Sequence, residues 1–368
     1  MEILAVFNAK GGVGKTTSAV NLAACFAAMG ERVVVFDLDA QGNATSSMGI
    51  MKAPGVGTYD VITGRAAITD ALVPTFMENL SLVGATKNLA TIDVDLALGD
   101  KSGGILSKVV APIKNDVDIL IMDCAPTFGS MTINALISAD AVFIPSQPSP
   151  YAHDGLVRTW TILSRIRQEL HPALRVVGIL PTLCSSADAD GGIMSAMKAE
   201  FGNLVDDRGV SLDSELFAAA TAAGVPACVF SPAATASLAY VDLAARLLAS
   251  ASDGDPLDSG KPGAARSRFR RLDNAPAPDP EKRQAVIHTL EAWRKKADQN
   301  GILDANINVP PVDAAAMEMA AAEIVSETGE EGERQWSAIA RWSVLVGAAI
   351  LLATSAFVLG WAAGAEKF

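Results

Sequence analysis

A chain of 368 residues has room for one large core or two smaller ones, and with 50% hydrophobic residues it is not a mainly disordered polymer. Its 41 acidic and 29 basic side chains leave a net charge of −12. Residues 1–250 hold 16 basic and 24 acidic groups and the remainder 13 and 17, so neither part invites wholesale binding to a phosphate backbone.

The chain opens on a short apolar run that leads straight into a glycine-rich loop, which is not the basic region, long apolar core and cleavage site of a secretory signal. The runs at 3–8, 32–37, 117–123, 141–145 and 175–181 are short, β-branched and apolar, the pattern of strands buried on both faces. Helical patterns stand between or after them at 17–29, 131–138, 155–170 and 235–249. This alternation predicts an α/β fold for residues 1–250: a mostly parallel sheet with right-handed crossovers and helices on both faces. Cys25, Cys124, Cys184 and Cys228 are far apart, with no CxxC or Cys/His spacing, which argues against a disulfide framework or a thiolate metal site and suits a reducing compartment. His153, His171 and His288 are scattered, without a carboxylate or cysteine partner in sequence, and read as structural.

From 251 to 280 the composition turns to Gly, Pro, Ser and Asp, as in a linker. The linker carries a basic cluster of Lys261, Arg266, Arg268, Arg270 and Arg271, which reads as solvated, with contact to DNA or anionic lipid as the alternative. Residues 281–333 form a helical and acidic linker region, with helices predicted at 281–299 and 313–326 and an acidic spacer at 327–333. Residues 342–365 contain no charge. At a rise of about 1.5 Å per residue, roughly 20 apolar residues cross the ~30 Å hydrocarbon layer, so this segment is long enough to be a transmembrane helix. Arg341 and Glu366 bound it, and Trp336, Trp342 and Trp361 stand where interfacial aromatics belong. The expectation is a single-pass tail anchor in the cell membrane with residues 1–250 in the cytoplasm; a buried core or interface helix is the competing reading. A flexible linker from 251 to 341 would give a reach of about 50 Å.

The chemistry concentrates after the first strand. Ala9, Lys10, Gly11, Gly12, Val13, Gly14, Lys15, Thr16 and Thr17 connect that strand to a helix. Strand, glycine-rich turn and helix N-terminus together make an anion site, with backbone N–H groups pointing inward and the helix dipole favouring negative charge. Lys15 is placed to reach β- and γ-phosphates, and the Thr16 hydroxyl to ligate Mg²⁺. Asp39 and Asp123 are read as closing apolar strands, whose carboxyl ends meet at the ligand crevice of a parallel sheet. Cys124 beside them reads as a small buried hydrophobe and not as a nucleophile.

Lys10 to Thr16 resembles the deviant Walker A motif of the ParA/MinD group of P-loop ATPases, with Ala9 where an ordinary Walker A has its first glycine. The resemblance makes Lys10 the signature lysine that crosses a nucleotide-sandwich dimer to the phosphates bound by the other subunit. Residues 37–45 look like the family's switch I, in which Asp39 would orient the attacking water. Residues 119–126 look like its Walker B and switch II, in which Asp123 would hold Mg²⁺ through water. Over residues 1–250 the resemblance implies ATP and Mg²⁺ as cofactors and catalytic roles for Lys10, Lys15 and Asp39. Nucleotide would be bound by Lys10, Gly11, Gly12, Val13, Gly14, Lys15, Thr16 and Thr17, with metal at Thr16 and Asp123. The family's usual prolines are replaced by Ala40 and Ala125, which relaxes both switch loops without removing a catalytic atom. Base-binding residues are placed only in the neighbourhood of 181–183 and 226–232.

The implied function is a slow, partner-stimulated ATPase that forms a homodimer on ATP and partitions or positions a cargo, either plasmid or chromosome DNA or a protein complex. Its stimulating partner would be ParB-like or MinE-like, and its C-terminal helix would tether it to the membrane. Nucleic-acid binding stays open, but the acidic stretch 205–215, where partition members carry basic residues, speaks against it. The alternatives are a membrane scaffold that binds ATP without hydrolysing it and, less well matched, a bacterial tyrosine kinase. A kinase of that kind carries a C-terminal tyrosine cluster, whereas the only tyrosines here are Tyr59, Tyr151 and Tyr240.

Overall fold

The computed structural model describes residues 1–50, 55–98, 104–185, 192–248 and 268–303. Its elements in chain order are β1 (Glu2–Val6), α1 (Lys15–Ala28), β2 (Val33–Asp37), α2 (Asn43–Ser47), α3 (Thr58–Thr63), α4 (Ile68–Ala71), β3 (Leu72–Pro74), β4 (Leu80–Val83), α5 (Ile92–Leu98), α6 (Ile105–Val110) and β5 (Ile119–Asp123). There follow α7 (Ser130–Ser138), β6 (Ala141–Ser146), α8 (Pro150–Glu169), β7 (Arg175–Pro181), α9 (Gly192–Phe201), α10 (Ser214–Ala223), α11 (Ala227–Phe230), α12 (Thr235–Leu247) and α13 (Pro280–Gln299). The strands lie in the order β3-β4-β2-β5-β1-β6-β7, all parallel except the short β3, which runs antiparallel to β4 at the edge.

Strands β1, β2 and β5 are buried along their whole length, which is why their sequences are unbroken apolar runs instead of alternating ones. Leu4, Val6, Val33, Val35, Ile119 and Ile121 face one core, shared with α1, α12 and α13. Ala5, Val34, Phe36, Leu120 and Met122 face the other, shared with α7, α8 and α9. The five predicted strands are present with ends shifted by up to two residues, and the edge strands β3 and β4 are additions. Helix α8 starts five residues earlier than the pattern predicts: the Ser149 side chain accepts the Ala152 N–H and Pro150 occupies the first turn, a strong start signal that apolar periodicity alone does not register.

The stretch after residue 250 differs most from its reading as linker. Helix α13 lays Val286, Ile287, Leu290, Trp293 and Ala297 against α1, α11 and α12. Ahead of it, Phe269 is buried with its ring 5.7 Å from that of Phe26, and Leu272 is buried beside Gly178. The Arg268 backbone N–H donates to the Glu2 carboxylate, and the Arg175 guanidinium donates to the Phe269 carbonyl at 2.9 Å. Apolar anchors seven or more residues apart are invisible to a composition count, yet they pin the segment beneath the sheet. The arginines of the basic cluster that fall here are engaged within the chain: Arg268 pairs with Glu31 and Asp118, Arg271 with Asp273, and the Arg270 N–H bonds Leu247. By its contacts the chain divides into Met1–Ala305 and Asn306–Phe368. Lys261, Arg266, the predicted helix 313–326, the acidic run 327–333 and the predicted span 342–365 lie outside the described residues. Among the described residues no helix is long and apolar enough to cross a membrane.

Candidate nucleotide site

Between β1 and α1 the chain turns through Gly12 and Gly14, whose φ values of 72° and 79° are left-handed and would strain any residue with a Cβ. The turn sets the unpaired N–H groups at the start of α1 around a concavity at the carboxyl end of the sheet. Thr182, just past β7, donates its hydroxyl to the Val13 carbonyl at 2.9 Å and fixes the far wall of the loop. Inside the loop, the Lys15 Nζ donates to the Lys10 carbonyl at 2.9 Å, a position from which it can pass to a phosphate oxygen. Burial lowers the Lys15 pKa, and the charges of Asp123 and Asp39 oppose that shift. Lys10 turns the other way: its side chain runs along Gly155 of α8 at the rim, and partial burial lowers its pKa as well.

The acids sit where β2 and β5 end. Asp37 and Asp123 are register partners on these neighbouring strands, and both are 0% exposed. Burial pushes the Asp37 carboxyl up to about 6, against hydrogen bonds from the Thr45 N–H and hydroxyl and the Asp39 N–H. Burial, and then the charge of Asp37, raises Asp123 well above the usual carboxylate range. Thr16 donates its hydroxyl to Asp123 Oδ2 at 2.7 Å, while Asp123 Oδ1 is buried with no hydrogen-bond partner. A buried carboxylate oxygen without a donor is costly, and a hydroxyl beside it completes a small all-oxygen donor set. That set fits Mg²⁺, a hard cation that takes one or two protein oxygens together with waters and phosphates.

Lys10, Lys15, Thr16, Asp39 and Asp123 thus surround one crevice, as the sequence places them. The position of Asp39 is the detail that changes. Strand β2 ends on Asp37, so Asp37 lies level with Asp123, and Asp39 is half-buried in the following turn with Oδ1 accepting the Gln41 N–H at 3.0 Å. Asp37 carried the signal applied to Asp39, an aspartate closing an apolar strand. The contributions of Asn8, Thr45 and Thr159 had no local signal. Cys124 is fully buried, and burial pushes its thiol far up. The histidines stay apart: His153 pairs with Glu200, His171 with the Ala139 carbonyl, and His288 with Gln284. In the acidic stretch, Asp206 pairs with Arg246, Asp207 with Lys198, and Asp213 caps α10.

A parallel sheet with a glycine-rich phosphate loop after β1, a loop lysine, a helix-start threonine and a strand-end aspartate defines a P-loop nucleoside-triphosphate-binding protein. A family described as "AAA domain" (AAA_31) matches residues 1–176. The sporulation initiation inhibitor protein Soj of Bacillus subtilis is 34% identical over 250 residues, 67% of this chain and 98% of Soj. The chromosome partitioning protein ParA of Caulobacter vibrioides is 31% identical over 257 residues, 69% of this chain and 96% of ParA. Among solved structures, cobyrinic acid a,c-diamide synthase from Mycobacterium smegmatis with bound ADP and magnesium is similar at 30% identity and a TM-score of 0.58, covering 67% of this chain and 94% of that one. The chain belongs to the ParA/MinD-type family of P-loop ATPases. It is a partition or positioning ATPase, and its cofactors are ATP and Mg²⁺.

Proposed function

We propose that this ATPase dimerises on ATP, captures a stimulating partner of the ParB or MinE kind, and acts on its cargo while tethered to the cell membrane by residues 342–365. The observation that carries the proposal is the opposed placement of the two loop lysines. Lys15 Nζ points into its own loop, whereas the Lys10 side chain lies outside it along α8. A lysine at the rim is placed to serve phosphates held by a second copy. In this reading Gly11, Gly12, Val13, Gly14 and Thr17 wrap the phosphates with backbone N–H groups and Lys15 neutralises them. Thr16 and Asp123 hold Mg²⁺, which when bound offsets the charge on the β- and γ-phosphates. Asp39, at the open end of the crevice, orients the attacking water. Turnover is slow until Lys10 of the second copy and the partner complete the electrostatic site.

The tether rests on the uncharged run 342–365, apolar all round and thus suited to lasting insertion instead of reversible surface binding. ATP would then govern dimerisation and partner capture on the bilayer, not exchange with the cytosol. Two experiments test the proposal. Lys15→Ala abolishes nucleotide binding in a calorimetric titration, whereas Lys10→Ala keeps binding but loses ATP-dependent dimers in size-exclusion chromatography; an unaltered dimer in Lys10→Ala overturns the assignment. Full-length chain stays in the membrane fraction through alkaline carbonate and ATP depletion, and a chain ending at Gly332 does not; release of the full-length protein removes the tether.

A further inference from the structure

The rim lysine is suspended from a helix distant in sequence. Asn8 and Thr159 are both 0% exposed and meet behind the start of the loop. Asn8 Nδ2 donates to the Pro145 carbonyl at 2.8 Å, anchoring the residue to the end of β6. Its Oδ1 accepts the Lys10 N–H at 3.1 Å and faces the Thr159 hydroxyl at 3.0 Å. The Ala9 N–H donates to Thr159 Oγ1 at 3.1 Å. The single hydroxyl proton of Thr159 is shared between Asn8 Oδ1 and the Gly155 carbonyl, 2.8 Å away. One turn before Thr159, Gly155 leaves the space through which Lys10 runs: a Cβ there would stand 3.3 Å from Lys10 Cβ and 3.6 Å from Cδ. The Lys10 carbonyl, in turn, holds Lys15. Backbone and side chain of Lys10 are therefore both set by α8, and the two lysines of the site are joined through one peptide.

We infer that Thr159 is a positioning residue for Lys10, fixing from α8 the Asn8-Ala9-Lys10 turn that aims the lysine. The inference rests on the role proposed above for Lys10. It concerns the hydroxyl and not the bulk of the side chain: valine fills the same volume but leaves the buried Ala9 N–H without an acceptor and Asn8 without its second donor. It also accounts for a glycine inside α8, where alanine would favour the helix more.

The test compares Thr159→Val, Thr159→Ser and Lys10→Ala in the full chain, measuring steady-state turnover at saturating Mg-ATP and calorimetric affinity for Mg-ADP. Thr159→Val is expected to lower turnover by about tenfold or more with ADP affinity within about threefold, and Thr159→Ser to restore turnover to within about twofold. Parent turnover in Thr159→Val, an equal loss in Thr159→Ser, or a loss of ADP affinity as large as the loss of turnover each overturns the inference. Lys10→Ala separates the two levels. If it is inactive while Thr159→Val is unaffected, only the positioning role falls; if Lys10→Ala turns over at the parent rate, the role of Lys10 itself falls.

Discussion

Replacing Asp37 by asparagine removes one of two carboxylates that β2 and β5 hold side by side, and the effect can be read in protons. With its carboxyl at about 6, Asp37 is half protonated at pH 6, and Asp123 is raised well above the usual range by burial and by the charge of Asp37. Both values lie above those of the unfolded chain, so the nucleotide-free protein loses stability as pH rises through about 6 and both groups ionise. A magnesium nucleotide reverses the balance by favouring the ionised pair, and the displaced protons leave. Asp37→Asn removes the half proton on residue 37 and lowers the occupancy on Asp123. The parent should therefore release between about half a proton and one proton more than the variant at pH 6, and its affinity should rise about three- to tenfold more per pH unit in that region. Titration with Mg-ADP in two buffers of different ionisation enthalpy measures the release, and the nucleotide's own proton cancels between parent and variant. Equal release in the two proteins refutes the account of the buried pair.

Further outcomes follow from other parts of the molecule. Trp293→Ala should destabilise the nucleotide-free protein by about 3–5 kcal/mol in urea unfolding, because the side chain is only 5% exposed between α13 and the core. A chain ending at Leu248 should be markedly less soluble and less stable than one ending at Leu303, since it uncovers the apolar faces of α1, α11 and α12; equal melting curves would count against the packing described. Asp93 on α5 accepts the Met131 N–H at 2.8 Å and so caps α7, directly after the residues read as switch II. Asp93→Ala should cost about 1 kcal/mol by thermal melting and slow ATP turnover more than it weakens ADP binding. Cys124, with its thiol pushed up by burial, should resist maleimide at pH 7.5 in the native protein and react only on unfolding.

The parts of the site legible in the sequence are contiguous ones. The loop from Ala9 to Thr17 follows a strand and opens a helix, and Asp123 closes an apolar run, so local pattern and chemistry coincide. Asp39 was read one turn too early: the strand stops at Asp37, and which of two aspartates two residues apart faces Asp123 depends on sheet register, which a single strand does not encode. Thr159 lies 150 residues from Ala9, and nothing in an amphipathic helix marks one threonine as its partner. The 268–274 stretch was legible as charged and proline-rich, which described its surface. Its fixation by Phe269 and Leu272 needed the groove they enter. Strands β3 and β4 were missed because three and four residues, one of them Pro74 at an edge, are too short to show a period.

The docking of α13 moves the point of departure of the C-terminal tail. From Leu303 to the first residue of the uncharged run, Trp342, about 38 residues intervene, where a boundary near residue 250 would leave about 90. Drawn out fully, such a leash is at most about 130 Å, against more than 300 Å for the longer one, whatever conformation it takes. If the run is held in a bilayer as proposed, the nucleotide crevice works inside a thin layer next to the lipid. Two copies there meet by lateral diffusion at a local concentration set by leash length and surface density, not by the volume of the cell. Dimer formation on ATP then becomes a measure of crowding in the plane, and lengthening the leash by inserted glycine-serine repeats should dilute that encounter without touching a residue of the site.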